Sequence, residues 1–127
     1  MSPDSPQAKE VRKTIEQLIE GASSNDSSVL DRIYHDDMDI FMLAPGGEVQ
    51  RANKDQFKAQ VIAKTNEAAK PQTWAKYHVV EADEERGHVV ISRKVNLTDE
   101  TQIITLSIDL VLEDGRWQII REVISLS

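Results

Sequence analysis

The feature that most constrains this chain is a long run of period-two alternation in its last third, folded back on itself at Asp114-Gly115. Asp-Gly between two β-like segments is a strong signal for a type I′ hairpin, because both central residues of that turn take positive φ. A two-residue turn there pairs Glu113 with Arg116, Leu112 with Trp117, Leu110 with Ile119 and Ile108 with Arg121. One face then reads Ile104, Leu106, Ile108, Leu110, Leu112 opposite Trp117, Ile119, Arg121, Val123, with Arg121 as the only charge in an apolar array. A guanidinium facing a core needs a partner, since an unpaired buried ion is very costly.

The preceding run supplies a second arginine. If Asp99-Glu100 forms a two-residue turn, Leu97 pairs with Gln102, Val95 with Ile104 and Arg93 with Leu106. Arg93 then lies with Val89, Ile91 and Val95 on the same apolar face as Arg121. The two stems flank Leu106 and Ile108 from opposite sides, on backbones on the order of 10 Å apart. Long side chains from that distance converge on one anion. One reading is a pocket for a carboxylate or oxyanion, because arginine offers a fixed fork of donors. The other is a structural ion pair with an acid from a helix, or snorkelling at the sheet edge.

Upstream, Ala8, Val11, Ile15, Leu18 and Ile19 make a helical stripe over 6–20 that Gly21 can terminate. After a polar connector, Asp26 or Ser27 can cap a short helix carrying Val29, Leu30, Ile33 and Tyr34. A strand is expected over 38–43, a turn at Pro45-Gly46-Gly47 and a short returning strand over 48–51. Asn53 with Gln56 three residues on resembles a capping box, opening a helix that carries Phe57, Val61 and Ile62. Four strands follow, over 73–82, 88–97, 101–113 and 116–125. Residues 1–6 read as a disordered tail and 7–127 as a single domain. The class is α+β: a curved, mostly antiparallel sheet of about six strands with three helices from the first half of the chain on one face.

Charge and composition narrow the partners. The net charge of −7 argues against nucleic acid and anionic membrane as main partners, since both require a basic surface. With no cysteine there is no disulfide, thiolate metal site or cysteine nucleophile. Met1-Ser-Pro-Asp-Ser-Pro shows neither a basic n-region nor an apolar h-region, so a cytoplasmic location is expected. No cofactor is expected.

The element order, with Gly115-Arg116-Trp117-Gln118-Ile119-Ile120 opening the last strand, resembles the nuclear transport factor 2-like superfamily, a cystatin-like α+β cone. Asn25-Asp26 through Tyr34-His35-Asp36-Asp37 is similar to that family's second helix and its entry into the first strand. The resemblance covers roughly residues 7–125 and is closest in style to the small SnoaL-like bacterial members. It implies a cavity between sheet and helices, and a dimer. Members include isomerases, dehydratases, epoxide hydrolases, cyclases and plain binding modules, so fold leaves function open. A ketosteroid isomerase-like alignment puts the oxyanion-holding tyrosine at Leu18 and the catalytic aspartate at Met42, and neither can do that work. The Asp-Arg-Asp arrangement of limonene epoxide hydrolase-like members fails because Val95 stands two residues after Arg93. Scytalone dehydratase-like chemistry fails because Tyr77 and His78 alternate faces.

The candidate ligand-binding residues are therefore Arg93 and Arg121, with Tyr34, Phe41 and Tyr77 as walls. A three-residue loop at Glu85-Arg86-Gly87 places Tyr77 and Glu81 inward, whereas a four-residue loop brings His78 opposite Arg93. His78 or Glu81 is the candidate general base. The run His35-Asp36-Asp37-Met38-Asp39 invites a metal reading, but its spacing matches no loop signature and a solvated helix–strand junction accounts for it better. The expected function is binding of a compact, partly apolar, acidic small molecule. Two alternatives stand beside it: a SnoaL-like cyclase, isomerase or lyase, and a cavity-less dimerisation module. A homodimer is expected through the outer sheet face, read as Ile103, Thr105, Ser107, Asp109 and Val111 with Gln118, Ile120, Glu122 and Ile124.

Overall fold

Three helices lie against one six-stranded sheet in a computed structural model, which describes residues 4–24, 26–44, 46–67, 74–96 and 101–126. Helix α1 (Pro6–Ser23) starts where Ser5 accepts a hydrogen bond from the Ala8 amide at 3.1 Å, and it buries the expected stripe of Ala8, Val11, Ile15, Leu18 and Ile19. Gly21 does not end this helix. A Cβ there would stand 2.7 Å from that of Val29, so the residue serves the close approach of α1 and α2. The helix stops two residues later, where the Ser24 amide donates to the Glu20 carbonyl at 3.0 Å. Helix α2 (Ser27–Ile33) is capped by Asp26, which accepts from the Ser28 amide at 3.1 Å. Helix α3 (Lys54–Glu67) opens with the expected reciprocal box: Asn53 N donates to Gln56 Oε1 at 3.0 Å and Gln56 N to Asn53 Oδ1 at 2.9 Å.

The strands are β1 (Tyr34–Leu43), β2 (Val49–Ala52), β3 (Ala75–Ala82), β4 (Arg86–Asn96), β5 (Thr101–Glu113) and β6 (Arg116–Leu126). Their order is β2-β1-β6-β5-β4-β3, with β1 and β6 the one parallel pair, so the β1–β2 hairpin joins the edge of the four-stranded meander. This is the expected α+β class. The core lies between the helices and the inner sheet face, where Ile15, Leu30, Ile33, Ile91, Ile108 and Ile119 are fully buried. Each such side chain contributes roughly 1.5–3 kcal/mol of apolar burial. Among the described residues no helix is long and apolar enough to cross a membrane.

Register decides which side chains reach that inner face. At the last hairpin Asp114 (φ 55°) and Gly115 (φ 76°) form the expected turn, and Glu113↔Arg116, Leu112↔Trp117 and Leu110↔Ile119 pair as the sequence predicts. A bulge follows: Asp109 faces Arg121 and Ile108 faces Glu122, leaving Ile120 as the extra residue. The expected Ile108–Arg121 pair does not form. Past the bulge Arg121 is exposed on the outer face, while Glu122 points inward and is 2% exposed. Glu122 and Ile124 thereby leave the outer surface on which they were expected.

Two further registers differ from expectation. Arg93 pairs with Ile104 rather than Leu106, and because the offset is two residues its face is unchanged. In β3, Tyr77 pairs with Ile91 but Val79 with Val90, so His78 is an extra residue. Ala75 and Tyr77 face inward before it, Val80 and Ala82 after it, and Glu81 faces outward opposite His88. Each of the two loop alternatives thus holds for half of the strand. The expected Asp99-Glu100 turn and Pro45 of the first hairpin turn lie outside the described residues.

Candidate functional site

On β4, β5 and β6 the inner face is apolar except at two described positions, Arg93 and Glu122. Glu122 projects from β6 between Ile108 of β5 and Ile40 of β1, its neighbours in register. Tyr34, at the junction of α2 and β1, is 3% exposed, with its ring edge-on to Phe57 of α3 at 5.6 Å between centroids. Arg93, Glu122 and Tyr34 interact electrostatically with one another, and Tyr77 interacts with Arg93. The bulge at Ile120 supplies the physical reason for this arrangement. Without it, two guanidiniums would share one apolar face; with it, the inner face holds one charge of each sign.

Burial dominates the chemistry of these groups. It raises the Glu122 carboxyl to about 7, against the opposing pull of Arg93. It holds the Tyr34 phenol well above the usual tyrosine range, reinforced by Glu122 and offset by Arg93. It also lowers the Arg93 guanidinium, opposed by Tyr34, Glu122 and Tyr77. Glu122 Oε2 is enclosed, with no hydrogen-bond partner among the described residues. A buried acceptor in that state carries the full cost of its lost hydration.

A groove of about 340 Å³ lies between α1 and the start of β3, lined by Glu16, Ile19, Glu20, Ala75 and Tyr77. Arg12 lies over the Tyr77 ring at 4.3 Å and pairs with Glu16 at 3.1 Å. Tyr77 belongs to both regions. Its phenol is raised by burial and by Glu16, and lowered by Arg12 on the groove side and Arg93 on the inner side. The tyrosine therefore forms the wall between an open groove and the charged inner face.

Of the residues singled out in the sequence, Arg93, Tyr34 and Tyr77 come together here, whereas Arg121 and Phe41 do not. Both lie on the outer face, where the Arg121 guanidinium is 5.7 Å and that of Arg51 5.4 Å from the Phe41 ring. Asp39 pairs with Arg121 in the parallel register, past an irregularity between Tyr34 and Asp39. His78 and Glu81 are also outward. His78 Nε2 lies 2.7 Å from Ser92 Oγ, and Glu81 sits opposite His88, which pairs with Asp109 at 2.8 Å. The sheet thus separates both candidate bases from Arg93. In the acidic run, Asp36 pairs with Lys54 at 2.9 Å, His35 with Glu113 at 3.1 Å and Asp39 with Arg51 at 2.8 Å, each toward a different neighbour. Among the described residues no three His, Asp or Glu side chains converge as metal ligands.

Sequence reasoning missed Glu122. The signal was the doublet Ile119-Ile120, where strict alternation breaks and both residues are apolar. That is the position at which the strand changes phase.

Residues 6–125 match the family described as "Putative lumazine-binding". The fold is shared with an NTF2-like protein of unknown function from Silicibacter pomeroyi, 15% identical with a TM-score of 0.83 over all of both chains. An NTF2-like protein from Cytophaga hutchinsonii is 16% identical, with a TM-score of 0.71 over 97% of this chain and 100% of that one. An NTF2-like protein of unknown function from Shewanella baltica is 11% identical, with a TM-score of 0.71 over 98% and 96%. These likenesses establish the nuclear transport factor 2-like fold and carry no activity with them. No curated protein matches this chain in sequence.

Proposed function

We propose, for a chain that belongs to the family described as "Putative lumazine-binding" and has the nuclear transport factor 2-like fold, that it is a small-molecule-binding domain. The ligand lies on the inner sheet face against Arg93, Tyr34 and Glu122, and enters past Tyr77 from the groove between α1 and β3. The observation that carries this reading is the pair Arg93 and Glu122 on an otherwise apolar inner face, with Tyr77 interacting with Arg93 and lining an open groove. Arginine on such a face suits orientation of a polar ligand edge, and apolar walls suit the rest of a compact ring. The ligand is compact and partly apolar and turns an acidic group toward Arg93. A groove of this size suits a molecule of one or two rings. Placement of His78 and Glu81 beyond the sheet favours binding over a reaction in which either is the base at this site.

The outer sheet face is the surface proposed for a homodimer, centred on Ile103, Thr105, Ser107 and Val123; sedimentation as a dimer supports it and a monomer at all concentrations contradicts it. The binding reading is tested by calorimetric titration of lumazine and benzoate against the wild type, Arg93→Ala, Tyr77→Ala and Arg121→Ala. Arg93→Ala and Tyr77→Ala each weaken binding by about tenfold or more. Arg121→Ala, on the other side of the sheet, leaves it unchanged. Loss of binding in Arg121→Ala alone, with Arg93→Ala unaffected, would place the ligand elsewhere.

A further inference from the structure

The groove between α1 and the start of β3 has a charge pattern of its own. Glu16 and Glu20 stand one turn apart on α1 and share the groove wall with Ile19, Ala75 and Tyr77. One of the two carboxylates already holds a cation. Arg12 pairs with Glu16 at 3.1 Å while its guanidinium lies over the Tyr77 ring at 4.3 Å. Glu20 has no such partner: among the described residues its carboxylate makes no hydrogen bond or ion pair.

Two further observations give the open position its sign. Glu20 lies in the last turn of α1, which contains no basic residue. The negative end of the helix dipole therefore adds to the carboxylate instead of being offset by a side chain. The chain as a whole carries a net charge of −7, which draws cations toward it. Ile19 and Ala75 supply apolar wall, and a volume of about 340 Å³ holds a molecule of one or two rings. A metal ion suits the place poorly, because hard cations gather several oxygens and Glu16 is engaged by Arg12.

We infer that the groove binds a compact organic cation, an ammonium on an apolar body of one or two rings, with the ammonium paired to Glu20 and the body against Ile19, Ala75 and Tyr77. This site lies on the α1 side of Tyr77, and the inference does not rest on the inner face being a ligand site. Specificity follows from charge. A neutral molecule of the same shape keeps the apolar contact and loses the ion pair. Because the groove is open, salt screens that pair, and the preference for the cation narrows as ionic strength rises.

The test is NMR titration of the full chain with tryptamine and with tryptophol, which carries a hydroxyl in place of the ammonium. Tryptamine binds and shifts the methyl signals of Ile19 and Ala75, and tryptophol binds about fivefold more weakly. Glu20→Gln brings tryptamine down to the affinity of tryptophol, whereas Glu20→Asp keeps a preference for tryptamine. Glu48→Gln, which removes a negative charge from an exposed position at the opposite edge of the sheet, leaves both affinities unchanged. Equal affinity for the two molecules overturns the inference. So does tryptamine binding that Glu20→Gln does not weaken, or that shifts signals away from the groove, and so does a lack of tryptamine binding. None of these outcomes bears on the inner face, whose reading is decided by lumazine, benzoate and Arg93→Ala.

Discussion

The two strand pairs flanking β5 were expected to behave alike, each delivering an arginine to the same face, and only one of them does. Between β4 and β5 the pairing differs from expectation by two residues, and Arg93 stays inward because side chains repeat with period two. Between β5 and β6 a single extra residue, Ile120, reverses the phase, exchanging Arg121 for Glu122. A larger register difference left the site intact while a smaller one rebuilt it. What matters to a sheet face is the parity of an offset, not its size. The bulge also changes the electrostatics, replacing a pair of like charges on the inner face by a pair of opposite ones.

Exchanging the two charges is the severest way to break this comparison. The double variant Arg121→Glu, Glu122→Arg keeps the bulge and sets a second guanidinium on the inner face that Arg93 occupies, with no carboxylate to offset either. The expected loss exceeds about 4 kcal/mol, which leaves the chain unfolded or aggregated in denaturant melts. Folding of the exchange variant at near wild-type stability would show that position 122 is not the inward one.

The next effect concerns Glu122 itself. Its carboxyl is raised from 4.5 to about 7 on folding, so the folded chain holds a proton that the unfolded chain has released between those values. Stability contributed by this group is therefore full at low pH and falls as pH rises through that window, by up to about 3 kcal/mol. Glu122→Gln removes the titration. The variant should gain stability relative to wild type above neutrality and show a flatter pH dependence, measured by urea unfolding across the window. An unchanged slope would remove Glu122 from the interior.

The smallest effect sharpens the contrast from the other side. Arg121→Ala removes an exposed side chain whose contact is with the outer ring of Phe41, and it should cost less than about 1 kcal/mol. A loss of several kcal/mol would mean that Arg121, and not Glu122, is the inward charge.

These contrasts mark what the residues declared in advance. The α1 stripe, the Asn53/Gln56 box and the Asp114-Gly115 turn were legible because each depends on residues close in sequence. The family resemblance was legible for a related reason, since it rests on element order. Arg93 was legible as inward because its face survives an even offset, whereas the face of Tyr77 was left open between two loop lengths. The bulges at His78 and Ile120 were not legible. Each is a one-residue event that reverses the phase of a strand without altering the residues on either side of it. The Ile119-Ile120 doublet marks the place but does not by itself reveal which way the chain resolves it.

The most direct test of the account is the protonation midpoint of the Glu122 side-chain carboxyl, followed by NMR on the folded protein in wild type and Arg93→Met. The account predicts a wild-type midpoint near 7 and a higher one in Arg93→Met, where the pull of the guanidinium is gone. A midpoint in the ordinary glutamate range, unmoved by Arg93→Met, would contradict it.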